Sequence, residues 1–232
     1  MKKTENNKKT AIIVPAYNCQ EDLEKLVEKL KKTGYFLIIV DDHSKEPLKV
    51  KKVENLRLIR HQRNFGYGGA IRTGIKYALK NGFEYMVLID GDGQHFPEDL
   101  EKMLAPLYDN SSDFVTGTRY GNIKSIGFEP HRDFGVRIIT ALANLSTENN
   151  LSDFQCCFRS FNRPVAQKLS LNEDGMEASI EMVNDVSKNG FRILEVPVKV
   201  TYEVKNAHSN NIITHGLKLV KYCVKVKLLE NE

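Results

Sequence analysis

Two aspartates spaced two residues apart follow an apolar run in MVLIDGDGQH, Met86–His95. In an extended segment, residues two apart face the same side, so Asp90 and Asp92 can both reach one cation. Two carboxylates this close raise each other's pKa unless a cation neutralises them. Oxygen ligands favour Mg²⁺ or Mn²⁺, which keep coordination positions open for substrate phosphates. Gln94 continues the alternation, so the stretch predicts a metal site formed by Asp90, Asp92 and Gln94.

Two other interpretations of this stretch compete with the metal site. In a helix–loop–helix calcium loop that starts at Asp90, Asp92 takes the third position and Glu101 the twelfth, which fits. The sixth position of that loop requires glycine, but His95 stands there, and a strand rather than a helix precedes the loop. The second alternative is a polar turn after a strand. The motif taken alone favours the turn, and the other strand ends favour the metal site.

Almost uninterrupted apolar runs alternate with helical patterns in the first half of the chain. The predicted strands are Ala11–Tyr17, Tyr35–Asp42, Asn55–His61, Tyr85–Asp90 and a run from Asp113, and the predicted helices are Glu21–Lys32, Gly69–Lys80 and Pro97–Tyr108. Uninterrupted apolar runs are typical of strands covered on both faces. The alternation of strands and helices predicts right-handed βαβ units and a single α/β domain with a Rossmann-like, mostly parallel, doubly wound sheet.

Polar residues collect at the carboxyl ends of these strands, where such sheets bind ligands. They are Pro15, Tyr17 and Asn18 after the first strand, Asp41 and Asp42 after the second, Asn64 after the third, Asp90 and Asp92 after the fourth and Arg119 after the fifth. Asp41 and Asp42 fit either a cap or turn, or hydrogen bonding to a nucleoside. Arg119 beside a diacid favours a phosphate clamp over a surface cation. The convergence of five strand ends predicts a binding site.

The glycine-rich stretch RNFGYGGAIRTG, residues 63–74, matches neither common nucleotide loop. The dinucleotide fingerprint requires glycine where Ile71 stands, and a P-loop requires lysine where Ile75 stands. We interpret the stretch as a helix entry at which the backbone can approach a ligand closely.

The pattern changes after about Tyr120. Helices are predicted at Phe134–Leu145, Met176–Lys188 and Ile212–Leu229, and strands at Asp153–Phe161 and Phe191–Val200. Pro197 within the last strand favours an edge or bulged strand. The tail helix has an apolar stripe and a lysine stripe; the first comprises Ile213, Leu217, Val220, Val224 and Leu228, and the second Lys218, Lys221 and Lys225.

Length and composition exclude several classes of protein. The 232 residues fit one large α/β domain, and a net charge of +4 is too weak to argue for a nucleic-acid partner. The four cysteines show no metal-binding spacing, which favours a reducing, cytoplasmic compartment. No apolar run approaches the ~20 residues that cross a bilayer. Residues 1–9 are expected to be a disordered lead-in, without the apolar core of a secretory signal.

The motifs PAYN, VDD, RNFGYGGA, DGDGQH, GTRY and DFQCCFR occur in an order and spacing that resemble the family-two inverting glycosyltransferases with the GT-A fold. More narrowly, they are similar to the dolichyl-phosphate mannosyltransferase branch, which makes polyprenyl-phosphate-linked sugars. The resemblance covers residues 10–205, as a GT-A domain with an acceptor-side C-terminal part, and leaves 206–232 as a basic amphipathic helix. It implies transfer of a sugar from a UDP- or GDP-sugar to a polyprenyl or dolichyl phosphate, with Mg²⁺ or Mn²⁺.

The resemblance also implies roles for individual residues. The nucleotide sugar would be bound by Pro15, Tyr17, Asn18, Asp41, Asp42, Asn64, Gly68, Asp90, Gly91 and Arg119, and the metal by Asp90, Asp92 and Gln94. The catalytic set would be Asp92, Arg119 and Asp153, and the acceptor residues Arg132, Gln155 and Arg159. A hydroxyl acceptor would require a base, for which Asp153 is the candidate. The chain departs from the branch at Cys157, where glycine is usual, and at Cys19, where glutamate is common.

Several alternatives stay open from the sequence. A soluble glycosyltransferase that acts on a saccharide hydroxyl and a nonenzymatic nucleotide-binding scaffold are the main ones. A nucleotidyltransferase is disfavoured because PAYNCQEDL lacks the expected glycine-rich loop with arginine and lysine. The tail helix fits peripheral contact with the cytoplasmic membrane face, and equally packing on the core or on a second subunit of a homo-oligomer.

Overall fold

The computed structural model describes residues 2–51, 53–121, 126–127, 130–147, 149–203 and 212–229. The strands are β1 (Thr10–Ala16), β2 (Phe36–Asp41), β3 (Leu56–Arg60), β4 (Tyr85–Leu88), β5 (Phe114–Thr118), β6 (Arg159–Asn162) and β7 (Ile193–Pro197). The helices are α1 (Lys2–Lys8), α2 (Gln20–Lys31), α3 (Gly66–Lys80), α4 (Leu100–Tyr108, preceded by the 3₁₀ turn Pro97–Asp99), α5 (Pro130–Thr147), α6 (Arg163–Lys168), α7 (Ala178–Lys188) and α8 (Ile212–Leu229). The strands and helices predicted in the first half are all present, with small shifts at their ends.

The seven strands form one sheet in the order β3-β2-β1-β4-β6-β5-β7. Strand β6 runs antiparallel to β4 and β5, and the other neighbouring strands pair in parallel. The predicted mostly parallel α/β sheet is therefore confirmed. Strand β7 lies at the edge, where the missing N–H of Pro197 costs no ladder hydrogen bond, as predicted.

Helices cover both faces of the sheet, which explains the uninterrupted apolar strands. In β1, Ala11 and Ile13 join one core cluster, and Ile12 and Val14 join the other. The first cluster is completed by α3, α5, α7 and α8, and the second by α2 and α4. The carboxyl ends of β1 and β4 lie side by side between these layers, at the point where the strand order reverses.

The segment Asp153–Phe161 is mostly not a strand, in contrast to the prediction. Its first six residues precede β6, which begins at Arg159. The Arg159 guanidinium donates hydrogen bonds to the carbonyl oxygens of Phe154 and Cys156. In a regular strand, these oxygens would accept hydrogen bonds from a neighbouring strand. Side-chain hydrogen bonds therefore replace ladder pairing here, and apolar content alone could not indicate that.

The expected disordered lead-in contains a helix, α1. Thr10 Oγ1 donates to the carbonyl oxygen of Asn6 at 2.8 Å, and Asn7 Nδ2 donates to the carbonyl oxygen of Thr33 at 3.1 Å. These contacts attach the segment to β1 and to the end of α2, so the expectation of disorder is corrected.

Helix α8 packs on α5 through a face different from the stripe identified in the sequence. Leu219, Tyr222, Cys223 and Val226 are buried and belong to the first core cluster. The sequence stripe points outward instead: Leu217, Val224 and Leu228 are 64%, 52% and 64% exposed. The side chain of Ile213 lies outside the described residues. No helix in the described ranges is long and apolar enough to cross a membrane.

Candidate active site

A cavity of about 810 Å³ lies at the carboxyl ends of the central strands. Ten predicted site residues line it: Pro15, Tyr17, Asp42, Asn64, Asp90, Gly91, Asp92, Gln94, Arg119 and Gln155. The fold therefore brings together residues from all five predicted strand ends. Of the other predicted residues, Asn18, Asp41, Gly68, Asp153 and Arg159 are not among the residues that line the cavity, and the side chain of Arg132 is outside the described residues.

The diacid motif forms a tight turn against the end of β1. The Gly91 amide donates to the carbonyl oxygen of Pro15 at 3.0 Å, and a Cβ on Gly91 would lie only 3.1 Å from that oxygen. Gly93 has a φ of +79°, a conformation that favours glycine. Asp92 Oδ1 accepts a hydrogen bond from the Gln94 amide at 3.0 Å. The two glycines thus let the carboxylates follow β4 directly and face the cavity.

The environment of Asp90 fits a divalent cation. Its Oδ1 is buried and accepts no hydrogen bond from the described residues. Burial and the neighbouring Asp92 carboxylate raise the pKa of Asp90 to about 8. A buried carboxylate oxygen without a donor, beside a second carboxylate, is the environment that a hard cation stabilises. No group of three His, Cys, Asp or Glu suited to a metal occurs in the described parts of the chain. Asp92 and Gln94 line the cavity together with Asp90, and their side-chain oxygens could join it as ligands.

The two cysteines at positions of departure stay neutral thiols. Burial, followed by the charge of Asp90, raises the pKa of Cys157. Burial raises the pKa of Cys19 to about 12. Both side chains line the cavity, but neither contributes a thiolate nucleophile at neutral pH.

Arg119 and Asp153 form a buried two-point ion pair. Arg119 Nε and Nη2 donate to the two carboxylate oxygens of Asp153, each at 2.6 Å, and Nη1 donates to the Tyr202 hydroxyl at 2.8 Å. The Asp153 oxygens also accept from the backbone amides of Arg119 and Gln155, both at 3.1 Å. Burial opposes ionisation of Asp153, but Arg119 outweighs it and holds the pKa of that carboxyl below its ordinary value.

This geometry does not favour Asp153 as a catalytic base. The side chain is fully buried, and each carboxylate oxygen already accepts two hydrogen bonds. A carboxylate with a lowered pKa and no remaining acceptor position is poorly suited to take a proton from a substrate. We assign Asp153 the role of orienting Arg119, which does line the cavity.

The loop after β2 separates its two aspartates. Asp41 is buried, accepts from the Ser44 amide at 2.9 Å and is ion-paired with Arg60. Asn18 Oδ1 accepts from the Lys45 amide at 2.8 Å. These two residues hold the loop together rather than line the cavity, so their predicted contact with the nucleotide sugar is not supported. The cap-or-turn alternative describes Asp41, and the ligand-facing role is left to Asp42.

Gly68 and Arg159 also have structural positions. A Cβ on Gly68 would lie 2.0 Å from the carbonyl oxygen of Glu173, so glycine is required where α3 packs closely against the loop before α7. Arg159 is 1% exposed. Its guanidinium donates to three main-chain carbonyls, those of Phe154, Cys156 and Ser179. The structure thus places neither residue where it could touch a ligand in the cavity.

His95 is a cavity residue that the sequence analysis considered only as a mismatch to the calcium loop. It is 6% exposed, and its Nδ1 has no partner among the described residues. Burial and the charge of Arg119 lower the pKa of His95 to about 4, so the ring is neutral at pH 7. Gln155 Nε2 also lacks a partner in the described part of the chain. In the sequence, the position of His95 directly after Gln94 was the signal that could have placed it at the site.

Part of the cavity wall is apolar. Val136 and Ile139 of α5 and Leu219 of α8 line it, together with Lys218. The cavity therefore combines a diacid and an arginine with an aliphatic surface and one lysine.

Comparison with known proteins identifies relatives along almost the whole chain. The model of Glycosyl transferase family 2 matches residues 11–170. A UDP-N-acetylglucosamine–dolichyl-phosphate N-acetylglucosaminyltransferase of Methanococcus voltae is 30% identical, over 94% of this chain and 95% of the relative. Polyprenol monophosphomannose synthase of Mycolicibacterium smegmatis is 24% identical, over 94% of this chain and 89% of the relative.

Among solved structures, glucosyl-3-phosphoglycerate synthase from Mycobacterium tuberculosis has a similar fold. Its complex with Mg²⁺ and uridine diphosphate superposes with a TM-score of 0.74 at 15% identity, covering 97% of this chain and 83% of that one. The likeness confirms the expected glycosyltransferase fold.

Proposed function

Because the chain belongs to glycosyl transferase family 2, and is therefore a glycosyltransferase, we propose that it transfers a sugar from a nucleotide sugar to a polyprenyl or dolichyl phosphate. Inversion at the anomeric carbon and dependence on Mg²⁺ or Mn²⁺ are parts of this proposal. Two relatives with dolichyl phosphate or polyprenol in their names support the acceptor class.

The choice of a phosphate acceptor rests on one observation: the described residues that line the cavity offer no strong base. The carboxylates that line the described cavity are Asp42, Asp90 and Asp92. The last two are the candidate metal ligands, and Asp42 is hydrogen-bonded to His61. His95 also lines the cavity, but its pKa, lowered to about 4, makes it a weak base for a sugar hydroxyl. A sugar hydroxyl would have to lose a proton to a base, whereas a lipid phosphate oxygen is already anionic. The soluble hydroxyl-directed transferase is therefore the less favoured alternative.

The residues of the cavity have separate tasks in this reaction. Asp90 and Asp92, with Gln94, would hold the divalent cation, which supplies positive charge to the diphosphate leaving group. Arg119, held in place by Asp153 and Tyr202, would contact a phosphate oxygen and stabilise the same developing charge. The aliphatic wall of α5 and α8 would receive the first isoprene units of the acceptor, next to Lys218.

Nucleotide release tests the proposal directly. With a panel of UDP- and GDP-sugars and Mg²⁺, we expect release with a short polyprenyl phosphate and background release with the matching polyprenol. EDTA should abolish release, and excess Mg²⁺ should restore it, because Asp90 and Asp92 would act through the cation that they hold. Equal rates with polyprenol and its phosphate would contradict the acceptor class. Full activity in EDTA would contradict the role of the diacid.

Membrane contact belongs to the proposal because of the outer face of α5 and α8. This outer face comprises Phe134, Ile138 and Leu145 of α5 and Leu217, Val224 and Leu228 of α8, all of them exposed. Lys218, Lys221 and Lys225 are exposed on α8 beside it. An apolar row bordered by lysines suits a helix that lies in the interface of an anionic bilayer. We propose that this face brings the cavity to its lipid substrate.

Replacing Leu217 and Leu228 together by aspartate is expected to reduce binding to anionic vesicles about tenfold or more, because two exposed leucines lose their apolar burial in the bilayer. Flotation with vesicles that contain anionic phospholipid measures the effect. Leu194→Asp on β7 is the matched control, since Leu194 is also exposed but lies on the sheet edge. Unchanged flotation of the double variant, or a dimer of the wild type that the double variant abolishes, would assign the outer face to protein contacts instead.

A further inference from the structure

Among the described residues, five buried side-chain atoms have no hydrogen-bond partner, and three of them belong to side chains that line the cavity. These three are Asp90 Oδ1, His95 Nδ1 and Gln155 Nε2, whereas Asn7 and Asn184 are not among the lining residues. A buried polar atom without a partner destabilises a fold, and native structures keep few of them. Their concentration in one cavity indicates that a ligand supplies the missing partners. The divalent cation would account for Asp90, which leaves His95 and Gln155.

The ring of His95 is fixed at the cavity wall. Its main chain pairs with Val200 in an antiparallel β-bridge, and the Thr201 amide donates to the carbonyl oxygen of Gln94 at 2.9 Å. The ring packs on Phe158, with 5.4 Å between the ring centroids, and the residue is 6% exposed. A ring held in this way is preorganised, so a ligand that meets it need not order it first.

Gln155 is attached to the other polar group of the cavity. Its amide donates to Asp153 Oδ1 at 3.1 Å, and the two oxygens of Asp153 hold the guanidinium of Arg119. His95, in turn, directly follows Gln94, the last of the candidate metal ligands. The two side chains are thus linked to the two groups that would hold the diphosphate, the cation and Arg119. In a nucleotide sugar the sugar is bonded directly to that diphosphate, so it would lie next to the same two groups.

We propose that His95 and Gln155 bind hydroxyl groups of the donor sugar and select for a sugar that carries them. The inference rests on the proposed function and adds two residues that recognise the transferred sugar. A sugar hydroxyl both donates and accepts, so it pairs with either neutral tautomer of the ring and also accepts from the Gln155 side chain. A phosphate oxygen only accepts, so it would pair with one tautomer alone. Gln155 then belongs to the donor side, in contrast to the acceptor role that the resemblance implies.

A comparison of a nucleotide sugar with its bare nucleotide tests this contact. Isothermal titration of the full chain with UDP-glucose, UDP-N-acetylglucosamine and GDP-mannose in Mg²⁺ identifies the donor that binds most tightly, and UDP or GDP is the matching nucleotide. His95→Phe can keep the packing on Phe158 while it removes both ring nitrogens. We expect the affinity for that donor to fall about 5- to 50-fold and the affinity for the bare nucleotide to stay unchanged. Gln155→Met should have the same selective effect.

The melting temperature separates a binding role of His95 from a structural one. His95→Phe removes a buried atom that has no partner in the ligand-free protein, so the melting temperature without ligand should rise by about 2–4 °C. Ser179→Ala is the matched control, because Ser179 also lines the cavity but its Oγ donates to the carbonyl oxygen of Met176 at 2.7 Å. The control should melt at a lower temperature and keep the affinity difference between donor and nucleotide.

A conservative variant and modified donors sharpen the result. His95→Asn keeps a polar atom close to the position of Nδ1, so it should recover part of the affinity that His95→Phe loses. Analogues of the donor with one hydroxyl replaced by fluorine identify the hydroxyl that is bound, because fluorine cannot donate. A site built to hydrogen-bond a hydroxyl rejects the analogue that lacks it. One analogue should therefore bind more weakly than the donor to the wild type, and equally well to His95→Phe.

The possible outcomes separate the two levels of inference. An equal loss of donor and nucleotide, an unchanged donor affinity in both variants, or an effect on the acceptor KM alone would overturn the sugar contact while glycosyl transfer stands. A lower melting temperature of His95→Phe with an unchanged donor affinity would assign His95 a structural role instead. Binding of no nucleotide and no nucleotide sugar in Mg²⁺ would overturn the proposed function, and the sugar contact with it.

Discussion

Asp90→Asn should abolish sugar transfer and, in the same protein, stabilise the metal-free fold. The substitution removes a charge that the divalent cation needs, and metal assistance is worth several kcal/mol of transition-state stabilisation. We therefore expect kcat/KM to fall on the order of 10³-fold or more. Asn is nearly isosteric with Asp, so the turn at Gly91 and Gly93 can be kept. Single-turnover assays at saturating Mg²⁺ measure the loss.

The stability effect follows from the direction of the pKa shift. The pKa of Asp90 is raised by burial and by Asp92 to about 8, against ~3.9 in an unfolded chain. A raised carboxyl pKa contributes stability that is fully present below about pH 4 and is lost as pH rises through about 8. In EDTA at pH 8 the melting temperature of Asp90→Asn should exceed that of the wild type by a few degrees or more. At pH 4 the difference should nearly vanish.

Mg²⁺ should reverse this order, because the cation binds the folded wild type and restores the stability lost to repulsion. Asp109→Asn is the matched control, since Asp109 is an exposed aspartate after α4 and lies outside the cavity lining. It should change neither activity nor the response to Mg²⁺. Equal stabilisation of the wild type and Asp90→Asn by Mg²⁺ would contradict a metal site at the diacid.

Asp153→Asn should have the second largest effect on sugar transfer. The rate should fall with a phosphate acceptor as well as with a hydroxyl acceptor. The sequence alone suggested Asp153 as a catalytic base for a hydroxyl acceptor, a role that a phosphate acceptor would not require. In the structure its carboxylate orients Arg119, so its loss releases the guanidinium that would contact the diphosphate. We expect kcat/KM to fall about 10²- to 10³-fold, the range for loss of one preorganised electrostatic group.

Stability should fall too, because breaking a buried ion pair leaves one charge uncompensated at a cost of about 3–5 kcal/mol. The pKa of Asp153 is held below its ordinary value, so its contribution is present above about pH 4 and is lost as pH falls further. The difference in unfolding free energy between wild type and Asp153→Asn should therefore shrink on acidification. Urea unfolding at pH 7 and pH 3 measures it.

A double variant separates the structural role of the pair from its chemical role. Arg119→Met with Asp153→Leu replaces both charges by apolar groups, which often restores stability at such sites. We expect near-native stability with no recovered activity. Asp113→Asn is the control, because it breaks the pair with the half-exposed Arg192 and should leave kcat/KM almost unchanged. Recovery of activity in the double variant would show that Arg119 contacts no substrate.

Much of the fold and the position of the diacid motif could be predicted from local sequence. The strands are uninterrupted apolar runs because they are buried on both faces. Each run shows this pattern in its own residues, so each strand could be predicted independently of the others. The carboxyl ends of parallel strands meet at one edge, so the convergence of Pro15, Asp42, Asp90 and Arg119 followed from the alternation of strands and helices alone. The family resemblance and the class of enzyme are confirmed by the match over residues 11–170.

Side-chain partners distant in the sequence could not be predicted in this way. Asp41 and Asp42 are adjacent and chemically identical, yet Arg60 holds one inside the loop while His61 presents the other to the cavity. Asp153 and Arg119 are 34 residues apart, so the bond that turns a candidate base into a positioning group has no local signal. The position of β6 between β4 and β5 is likewise a product of long-range pairing.

Helix α8 illustrates the limit of periodicity. Its sequence has two apolar faces, one through Leu217 and one through Leu219. Helical periodicity does not indicate which of the two faces is buried. Packing on α5 buries the second and leaves the first exposed. The sequence by itself determined which residues are apolar, which strands form and which carboxylates follow them, since each depends on neighbours a few positions away. The tertiary structure decided which face is covered and which charges are paired, because burial and ion pairing depend on chain segments that only folding brings together.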